Sequence, residues 1–329
     1  MSRKVVVTGA SSEIGAAVVR EFESNGYDVR AMVRSSSKRD QLEGTKSPII
    51  VGDVTDRESL LRAFDGVDAV INIAALYRDP TATKDDFFKV NHQGVLNVFQ
   101  TAIKVGVSQI IHCSTGGVLG DVTDPPGTDK TPYSPGDEYQ DSKVEGEKAA
   151  LEFYRSGKIG GVVIRPAMVF GPGDTRYLKL FRLIKSGRFF YIGAGKKWVH
   201  FVDVRDLARS FRLALEHPER NGEIYHIGGR LHMHLFEAVN IMADELGVSR
   251  PKIKIPLWPV QLAGSLCEAI CMPLGITPPI YRRRVDFFAK SRWFDISKAI
   301  RELEYQPLKD FREEVRDTIE YYRSKGLLS

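Results

Sequence analysis

Short runs of β-branched and other apolar residues alternate with helical patterns in the first half of the chain, and this alternation most constrains the fold. It is the pattern of strands that are joined by crossover helices in a parallel sheet. Runs without polar alternation, such as Val162-Val163-Ile164, suit strands that are covered on both faces. We therefore predict an α/β fold with a doubly wound parallel sheet. The expected strands are Lys4–Thr8, Asp28–Val33, Ile49–Val51, Ala69–Ile73, Gln109–Cys113, Gly161–Arg165 and Ile224–Ile227.

Helical patterns fill the gaps between these strands, as such a sheet requires. In the first half they span Ile14–Ser24, Arg57–Phe64, Asp85–Val105 and Tyr139–Ser156. After about Ala167 the alternation ends, and the helical patterns there are Leu178–Gly187, Phe236–Leu246, Pro256–Gly275 and Phe311–Lys325. We predict two domains: residues 1–166, which carry the sheet, and a smaller lobe over residues 167–329. The stretch near 198–230 is expected to return to the sheet.

The composition excludes several classes of protein. A chain of 329 residues with 43% hydrophobic residues can bury its own core without disulfides, and its three cysteines, an odd and sparse set, favour a reduced compartment. A formal charge of +5 is too small to indicate nucleic-acid binding. No apolar run reaches the roughly 18 residues of a membrane span, and Val5–Val7 leads at once into a glycine turn rather than a signal peptide. We therefore expect a cytoplasmic protein.

The sequence gives little indication of a metal site. His232 and His234 are two residues apart and would share one face of a strand. Because no third ligand stands near them, we interpret both as structural and predict no metal.

A glycine-containing loop follows the first predicted strand. Gly9 permits a tight turn, and Gly15 lets the next helix pack closely on the strand. The helix N-terminus then offers free N–H groups and a positive dipole end to a pyrophosphate. The residues between the glycines that complete this loop are Ser11, Ser12, Glu13 and Ile14. With two glycines alone, a plain strand–turn–helix remains the alternative.

Residues after three other strands favour a dinucleotide. Asp53-Val54 follows the third strand, where a carboxylate can accept from an adenine amine, and Ala74-Ala75 gives a small-residue edge after the fourth. The second strand ends at Arg34 and not at the acidic residue that takes a ribose hydroxyl in NAD sites. A guanidinium suits a 2′-phosphate, so we predict NADP in preference to NAD. The alternative is a solvated charge run that continues to Lys38 and Arg39.

A tyrosine and a lysine provide candidate acid–base chemistry. Tyr139 and Lys143 are four residues apart and share one face of a helix. A nearby ammonium favours the phenolate and lowers the pKa of the tyrosine towards neutrality. Ser114-Thr115 closes the fifth strand at the carboxyl edge, where a hydroxyl can hold a substrate oxygen. Taken alone, a Tyr–Lys pair at this spacing is usually a surface pair.

In this order the motifs resemble the extended short-chain dehydrogenase/reductase family over essentially the whole chain. The matching pieces are Thr8–Gly15, Asp53-Val54, Asn72–Ala75, Asn91, His112–Thr115, Tyr139-x-x-x-Lys143, Arg165–Gly173, Phe201–Asp206 and Phe294–Ala299. The resemblance implies a Rossmann fold with a smaller C-terminal substrate lobe. It also implies that Tyr139 is the acid/base and that Lys143 binds the nicotinamide ribose and lowers the tyrosine pKa, while Thr115 orients the substrate oxygen. The remaining cofactor-site residues that it implies are a helix-shaping Asn91 and the stretch from Pro166 to Met168.

Two departures from the family pattern bear on function. Ser12 stands where most extended members have a middle glycine, and Glu13 would repel a pyrophosphate unless it points away. Met168 and Val199 stand where similar nucleotide-sugar epimerases carry an Asn and, nearby, an Arg. The second departure argues against a diphosphosugar.

An apolar segment, Leu257–Cys267, predicts a hydrophobic substrate wall and resembles the 3β-hydroxysteroid dehydrogenase branch. A core helix or a homodimer face is the alternative.

The predicted function is oxidation or reduction of a bulky, polycyclic or lipidic secondary alcohol or ketone. A nucleotide-sugar 4-epimerase or dehydratase with tightly held NAD is the second hypothesis, and a non-catalytic NADP sensor the third. Arg282-Arg283-Arg284 is interpreted as a solvated or ion-paired run, with an inward diphosphate clamp as its alternative.

Overall fold

The computed structural model describes residues 2–77, 79, 81–271 and 288–328, and two layers of helices enclose a parallel sheet in it. The strands are β1 Lys4–Thr8, β2 Asp28–Val33, β3 Ile49–Val51, β4 Ala69–Asn72, β5 Gln109–Cys113, β6 Gly160–Pro166, β7 Met168–Phe170, β8 Tyr191–Ile192, β9 Trp198–Asp203, β10 Ile224–Ile227, β11 His232–His234 and β12 Lys254–Ile255. The helices are α1 Glu13–Ser24, α2 Arg57–Phe64, α3 Lys84–Phe88, α4 Gly94–Lys104, α5 Glu138–Arg155, α6 Leu178–Lys185, α7 Val204–Glu216, α8 Leu235–Leu246, α9 Leu257–Cys271, α10 Ser297–Leu303 and α11 Phe311–Ser324.

Seven strands form the main sheet in the order β10-β6-β5-β4-β1-β2-β3, and every neighbouring pair is parallel. These are the strands that the apolar runs predict. From β1 the chain first adds β2 and β3 on one side of the sheet. It then adds β4, β5, β6 and β10 on the other side. Ligands of open α/β sheets bind at such a reversal, outside the carboxyl ends of the strands.

Alternation along β1 divides the core between the two faces of the sheet. Val5 and Val7 belong to a cluster with α1 and α7, whereas Val6 belongs to one with α2, α4 and α5. All three valines are fully buried, as expected for a strand covered on both faces. The predicted doubly wound α/β fold is confirmed.

The prediction of one helix over Asp85–Val105 is wrong. The segment is divided into α3, a π-helical turn at Lys89–Gln93, and α4. The Asn91 side chain bonds to both backbone groups of Leu76, and α5 approaches closely, because a Cβ on Gly146 would lie 2.1 Å from the Asn91 carbonyl oxygen. A tertiary contact therefore breaks a regular helical pattern.

The second half builds a small lobe around its own core. This core joins α6, α8 and α11 to a three-stranded sheet of order β11-β9-β7. In the stretch near 198–230, β10 does lie at the edge of the main sheet, but β9 lies in the lobe and the helix α7 between them packs on α1.

Only part of the late apolar segment can be compared with its prediction. The expected helix Pro256–Gly275 is found as α9, and the rest of it, with Arg282-Arg283-Arg284, lies outside the described residues. Cys267 and Cys271 place their Sγ atoms 3.8 Å apart on α9, and both are partly exposed free thiols. No helix in the described ranges is long and apolar enough to cross a bilayer.

Candidate active site

Two adjoining cavities lie at the carboxyl edge of the main sheet. The smaller, of about 150 Å³, is lined by Gly9, Ser11, Ser12, Met32, Arg34, Ser37, Gly52, Asp53, Val54, Ile73, Ala74, Ala75, Leu76 and Val90. The larger, of about 280 Å³, is lined by Ser12, Glu13, Ile14, Ile73, Ala75, Tyr77, Cys113, Ser114, Thr115, Gly117, Tyr139, Gln140, Lys143, Pro166, Ala167, Met168, Val169, Arg176, Tyr177, Arg292 and Phe294. Ser12, Ile73 and Ala75 line both, so the two cavities adjoin.

The glycine loop packs as tightly as its sequence predicts. A Cβ on Gly9, whose φ is +67°, would lie 2.9 Å from the backbone of Ala74, and one on Gly15 would lie 2.3 Å from the Gly9 carbonyl oxygen. Gly15 itself lines neither cavity; its role is the close approach of α1 to β1. A larger residue at either position would displace the helix N-terminus that faces the cavities.

Ser12 replaces the middle glycine without strain. Its φ of −79° lies in the extended region, so no glycine is required there. The Ser12 hydroxyl accepts from the Gly15 N–H at 3.0 Å and donates to the Gly9 carbonyl at 2.8 Å. Ser12 is therefore the N-cap of α1 and fixes the shape of the loop.

The carboxylate of Glu13 has a cation beside it. Its Oε2 lies 3.5 Å from Nε of Arg176, a residue of the loop between β7 and α6. Two hydrogen bonds from the Arg176 guanidinium to Asp174, at 2.9 and 2.7 Å, hold it in place. The negative charge that would repel a pyrophosphate is thus partly offset by the lobe.

The smaller cavity has the groups expected for the adenosine half of a dinucleotide. Arg34 lines it from the end of β2 and is exposed, whereas neither Lys38 nor Arg39 lines it. Asp53 is fixed by Thr55, whose backbone N–H and hydroxyl both donate to Oδ1 at 2.8 Å. The tight glycine turn, the helix N-terminus and these side chains together fit a dinucleotide.

Thr115, Tyr139 and Lys143 all line the larger cavity. Lys143 is buried, and its Nζ donates to the Cys113 carbonyl at 2.7 Å. Burial lowers the pKa of Lys143, and the nearby Glu147 carboxylate opposes that shift. Tyr139 is half-buried with its ring 4.9 Å from that of Tyr77 in an edge arrangement.

Thr115 is held at the end of β5 by a local bond. Its Oγ1 accepts from the Gly117 N–H at 3.0 Å and caps a short 3₁₀ turn at Gly116–Leu119. The hydroxyl hydrogen is not used in that bond, so it can be donated to an oxygen in the cavity.

A buried ion pair supports this part of the site. Arg165, on β6, pairs with Glu147, on α5, at 2.5 Å, and the two side chains are 1% and 0% exposed. The same carboxylate accepts from the Ser114 hydroxyl and, at 2.8 Å, from the Tyr133 hydroxyl. Glu147 thereby ties α5 to Ser114, the neighbour of Thr115.

Asn91 differs from its expected place among the cofactor residues. It is fully buried and lines neither cavity. Its Nδ2 donates to the Ser142 hydroxyl at 2.9 Å and to the Leu76 carbonyl at 3.1 Å. Asn91 therefore positions the segment beside Lys143 from outside the lining of the two cavities.

The apolar lining comes from residues other than those predicted. No described residue of α9 lines either cavity, and Trp258, Leu262 and Leu266 are 69%, 54% and 55% exposed. The expectation that Leu257–Cys267 forms the substrate wall is wrong for these residues. The wall is instead made by the segment from the end of β6 into β7, which includes Pro166 and Met168, and by three residues that the sequence did not assign to a substrate wall: Val169, Tyr177 and Phe294.

The two histidines do not form a metal site. His232 stacks on Trp293 at 3.6 Å and His234 stacks on Trp198 at 3.9 Å. Across the described ranges, no group of three or more His, Cys, Asp or Glu side chains could hold a metal ion.

The doubly wound sheet, the glycine loop and the Thr–Tyr–Lys set define a Rossmann-fold enzyme of the extended short-chain dehydrogenase/reductase type. The chain belongs to the NAD dependent epimerase/dehydratase family, whose sequence pattern matches residues 5–228.

Relatives and a solved structure agree with this assignment. The chain is 26% identical to human sterol-4-alpha-carboxylate 3-dehydrogenase, decarboxylating, over 98% of its own length and 89% of that protein. It is 27% identical to a 3 beta-hydroxysteroid dehydrogenase/Delta 5-->4-isomerase of Mycobacterium tuberculosis, over 98% and 90% of the two chains. Among solved structures, the dTDP-glucose 4,6-dehydratase DesIV of Streptomyces venezuelae, with NAD bound, superposes with a TM-score of 0.81 at 25% identity, covering 99% of both chains.

Proposed function

We propose that this enzyme interconverts a secondary alcohol and a ketone on a bulky, apolar, polycyclic or lipidic substrate, with NAD(P) as cofactor. One observation carries the proposal: Thr115, Tyr139 and Lys143 line one cavity together with several apolar side chains, and this cavity adjoins the glycine-loop cavity. Residues 1–166 would bind the cofactor and residues 167–329 would cover the substrate.

Tyr139 is the acid/base in this proposal. When bound, the nicotinamide supplies or accepts the hydride at the carbinol carbon. The Tyr139 phenol gives its proton to the carbonyl oxygen in reduction, and the Tyr139 phenolate takes the hydroxyl proton in oxidation. The Thr115 hydroxyl donates to the same oxygen and orients it.

Lys143 adjusts Tyr139 through its charge. A tyrosine has a pKa near 10 and is a poor base at neutral pH. An ammonium on the same helix face stabilises the phenolate, and the bond from Lys143 to the Cys113 carbonyl fixes where that charge lies. Pro166 and Met168 line the same cavity and would contact the nicotinamide.

The smaller cavity supports NADP over NAD. Arg34 is the cation at the tip of β2 that lines it, and no acidic residue occupies that strand tip. A guanidinium there pairs with a 2′-phosphate, whereas a ribose hydroxyl would be better served by a carboxylate.

Apolar lining and relatives together favour a hydrophobic substrate. Met168, Val169 and Phe294 give a surface on which a ring system gains about 25 cal/mol for each Å² that it buries. Both curated relatives described above carry steroid or sterol substrates in their names.

A nucleotide-sugar 4-epimerase or dehydratase is the second candidate. The likeness to DesIV favours it, because that protein is a dTDP-glucose 4,6-dehydratase with NAD bound and has a similar fold. The Thr–Tyr–Lys set would then make a transient 4-keto sugar with tightly held NAD. Met168 weighs against it, since it replaces a polar side chain with an apolar one.

Cofactor release separates the two candidates. Purified enzyme would be incubated with excess NADP or NAD and either hydroxysteroid and terpenoid alcohols or UDP- and dTDP-sugars. The proposal predicts reduced nicotinamide in large excess over enzyme with one of the alcohols. Conversion of a sugar nucleotide without net reduction of the cofactor, and no turnover of any alcohol, would establish the second candidate instead.

A further inference from the structure

Arg292 lines the larger cavity and has no part in the function proposed above. The Arg292 backbone N–H donates to the Trp198 carbonyl at 2.8 Å, and Arg292 pairs with Val199 of β9 in an isolated parallel β-bridge. The backbone of the segment that carries Arg292 is therefore fixed in an extended conformation beside β9.

Alternation along this extended segment decides which side chains share a face. The Trp293 ring stacks on that of His232 at 3.6 Å. Arg292 and Phe294 both line the cavity, on the opposite face. The Phe294 ring touches Gly116, because a Cβ there would lie 2.5 Å from it, and Gly116 follows Thr115. Arg292 therefore lies two residues before Phe294 and on the same face of the segment, and Phe294 packs against the turn that follows Thr115.

The charge of Arg292 is not neutralised within the described ranges of the chain. No acidic side chain of those ranges forms an ion pair with it. By contrast, Arg176 in the same cavity is paired with Asp174 and Glu13. Arg292 is partly exposed at the cavity wall, so its guanidinium, unpaired within those ranges, can meet an anionic group of a molecule that enters the cavity.

We propose that Arg292 binds a carboxylate of the substrate, so that the substrate class is an apolar hydroxy acid or oxo acid. This inference rests on the proposed function, because it places the acid on the molecule that Tyr139 protonates or deprotonates. One guanidinium matches one carboxylate in charge and in its bidentate geometry. A sugar-nucleotide diphosphate carries more negative charge than one arginine offsets, and the remainder would face Met168, Val169 and Phe294.

The test compares acids with their own methyl esters. The probes are a sterol 3-alcohol with a neighbouring carboxylate and a long-chain 2-alkyl-3-hydroxy acid, each assayed beside its methyl ester by formation of reduced cofactor. Wild-type enzyme is expected to prefer an acid over its ester by about 10–100-fold in kcat/KM. Arg292→Met should lose that preference and leave turnover of the ester close to wild type, while Arg292→Lys should keep part of it.

Arg301→Met is the matched control, since Arg301 is exposed on α10 and donates to Ser297 at 3.0 Å. It should retain the full preference for the acid. Equal turnover of acid and ester by wild-type enzyme would overturn the inference and leave the proposed function standing, whether or not Arg292→Met folds. Absence of turnover with every acid, ester and alcohol, together with conversion of a sugar nucleotide, would overturn both.

Discussion

At the scale of single residues, Glu147 determines how firmly the catalytic side chains are held. It lies one helical turn after Lys143, so the two face the same side of α5. Its carboxylate meets Arg165, Ser114 and Tyr133, and is fully buried. A buried carboxylate needs such partners, because desolvation alone would make it unfavourable.

Replacing Glu147 with Gln should destabilise the protein strongly. The change leaves the Arg165 guanidinium buried without its counter-charge, and we expect the free energy of unfolding to fall by about 3–5 kcal/mol. Urea denaturation measures this. The control is Glu145→Gln, which removes an exposed pair with Lys148 on the same helix and should cost about 0–1 kcal/mol. Similar losses in the two variants would contradict the role given to Glu147.

Individual site residues differ in how far sequence could predict them. Thr115, Tyr139 and Lys143 could be predicted because their types, order and spacing follow local elements. Arg292 could not, because it reaches the cavity on a segment from the far end of the chain, which is held there by pairing of Arg292 with Val199 and of Phe294 with Gly127. Arg176 follows the recognised motif Gly171-Pro172-Gly173, which was the available signal for it.

At the scale of elements, the loop between β7 and α6 reaches the N-terminus of α1. Arg176 joins them by lying 3.5 Å from Glu13 while Asp174 fixes its guanidinium. The pair puts a cation of the substrate lobe beside the turn that is proposed to hold a pyrophosphate. Cofactor affinity should therefore depend on a residue of the lobe.

Arg176→Ala should weaken cofactor binding by roughly tenfold or more, since a positive charge is lost beside a pyrophosphate and next to Glu13. Calorimetric titration of NADP and NAD measures the effect. Adding Glu13→Gln to Arg176→Ala should restore part of the affinity, because it removes the negative charge as well. Arg182→Ala is the control, as Arg182 bonds only to the Leu327 carbonyl in the described chain. Unchanged affinity in Arg176→Ala would show that the pair does not act on the cofactor.

The tip of β2 should decide which dinucleotide is preferred. Arg34→Ala should lower NADP affinity about 10–150-fold, the equivalent of about 1.5–3 kcal/mol for a charge-assisted bond, and leave NAD affinity nearly unchanged. Added salt should reduce the preference, since Arg34 is exposed. Arg39→Ala, five residues on and outside the cavity, should behave as wild type. If wild-type enzyme binds both cofactors equally, the preference for NADP is wrong and NAD becomes the expected cofactor.

At the scale of the whole molecule, a group of acidic side chains joins the lobe to α7. Glu314, on α11, is buried near Asp203 at the end of β9, Asp206 on α7, and Asp310 at the start of α11, with Arg205 as the nearby cation. Burial and these like charges raise the pKa of Glu314 to about 9, and burial raises the pKa of Asp206 to about 6. Both carboxyls are therefore more easily protonated in the folded protein than in the unfolded chain.

A raised carboxyl pKa gives stability that is complete at low pH and is lost as the pH rises. For Glu314 the loss should run from about pH 4.5 to about pH 9, at up to about 1.4 kcal/mol for each pH unit. Glu314→Gln should flatten most of this slope and make the variant more stable than wild type at pH 8 but not at pH 5. Urea denaturation at several pH values measures it, with the exposed Glu320→Gln as control. Parallel pH profiles for wild type and Glu314→Gln would contradict the assignment.

Sequence predicted the sheet better than it predicted the lobe, for physical reasons. A buried parallel strand is encoded locally, as a short apolar run, and all seven runs became strands of the main sheet. β9 carries His200, which interrupts its apolar run, and ends at Asp203; the buried His200 is satisfied by the distant Gly229 carbonyl, and the buried Asp203 by Arg205. The wall of the larger cavity likewise depends on which distant segments of the chain pack together. The apolar segment that became α9 was predicted to form that wall, yet its Trp258 is exposed.

The central claim is that Tyr139 transfers a proton while hydride moves between cofactor and substrate carbon, and Tyr139→Phe tests it most directly. The variant keeps the ring and its contact with Tyr77 but removes the phenolic hydroxyl. We predict a fall in kcat of about 10²–10⁴-fold on the substrate identified by the cofactor-release assay, with cofactor affinity close to wild type. Tyr321→Phe, at a partly buried tyrosine of α11 that lines neither cavity, should retain full activity. A Tyr139→Phe enzyme that keeps more than about a tenth of wild-type turnover would contradict the claim.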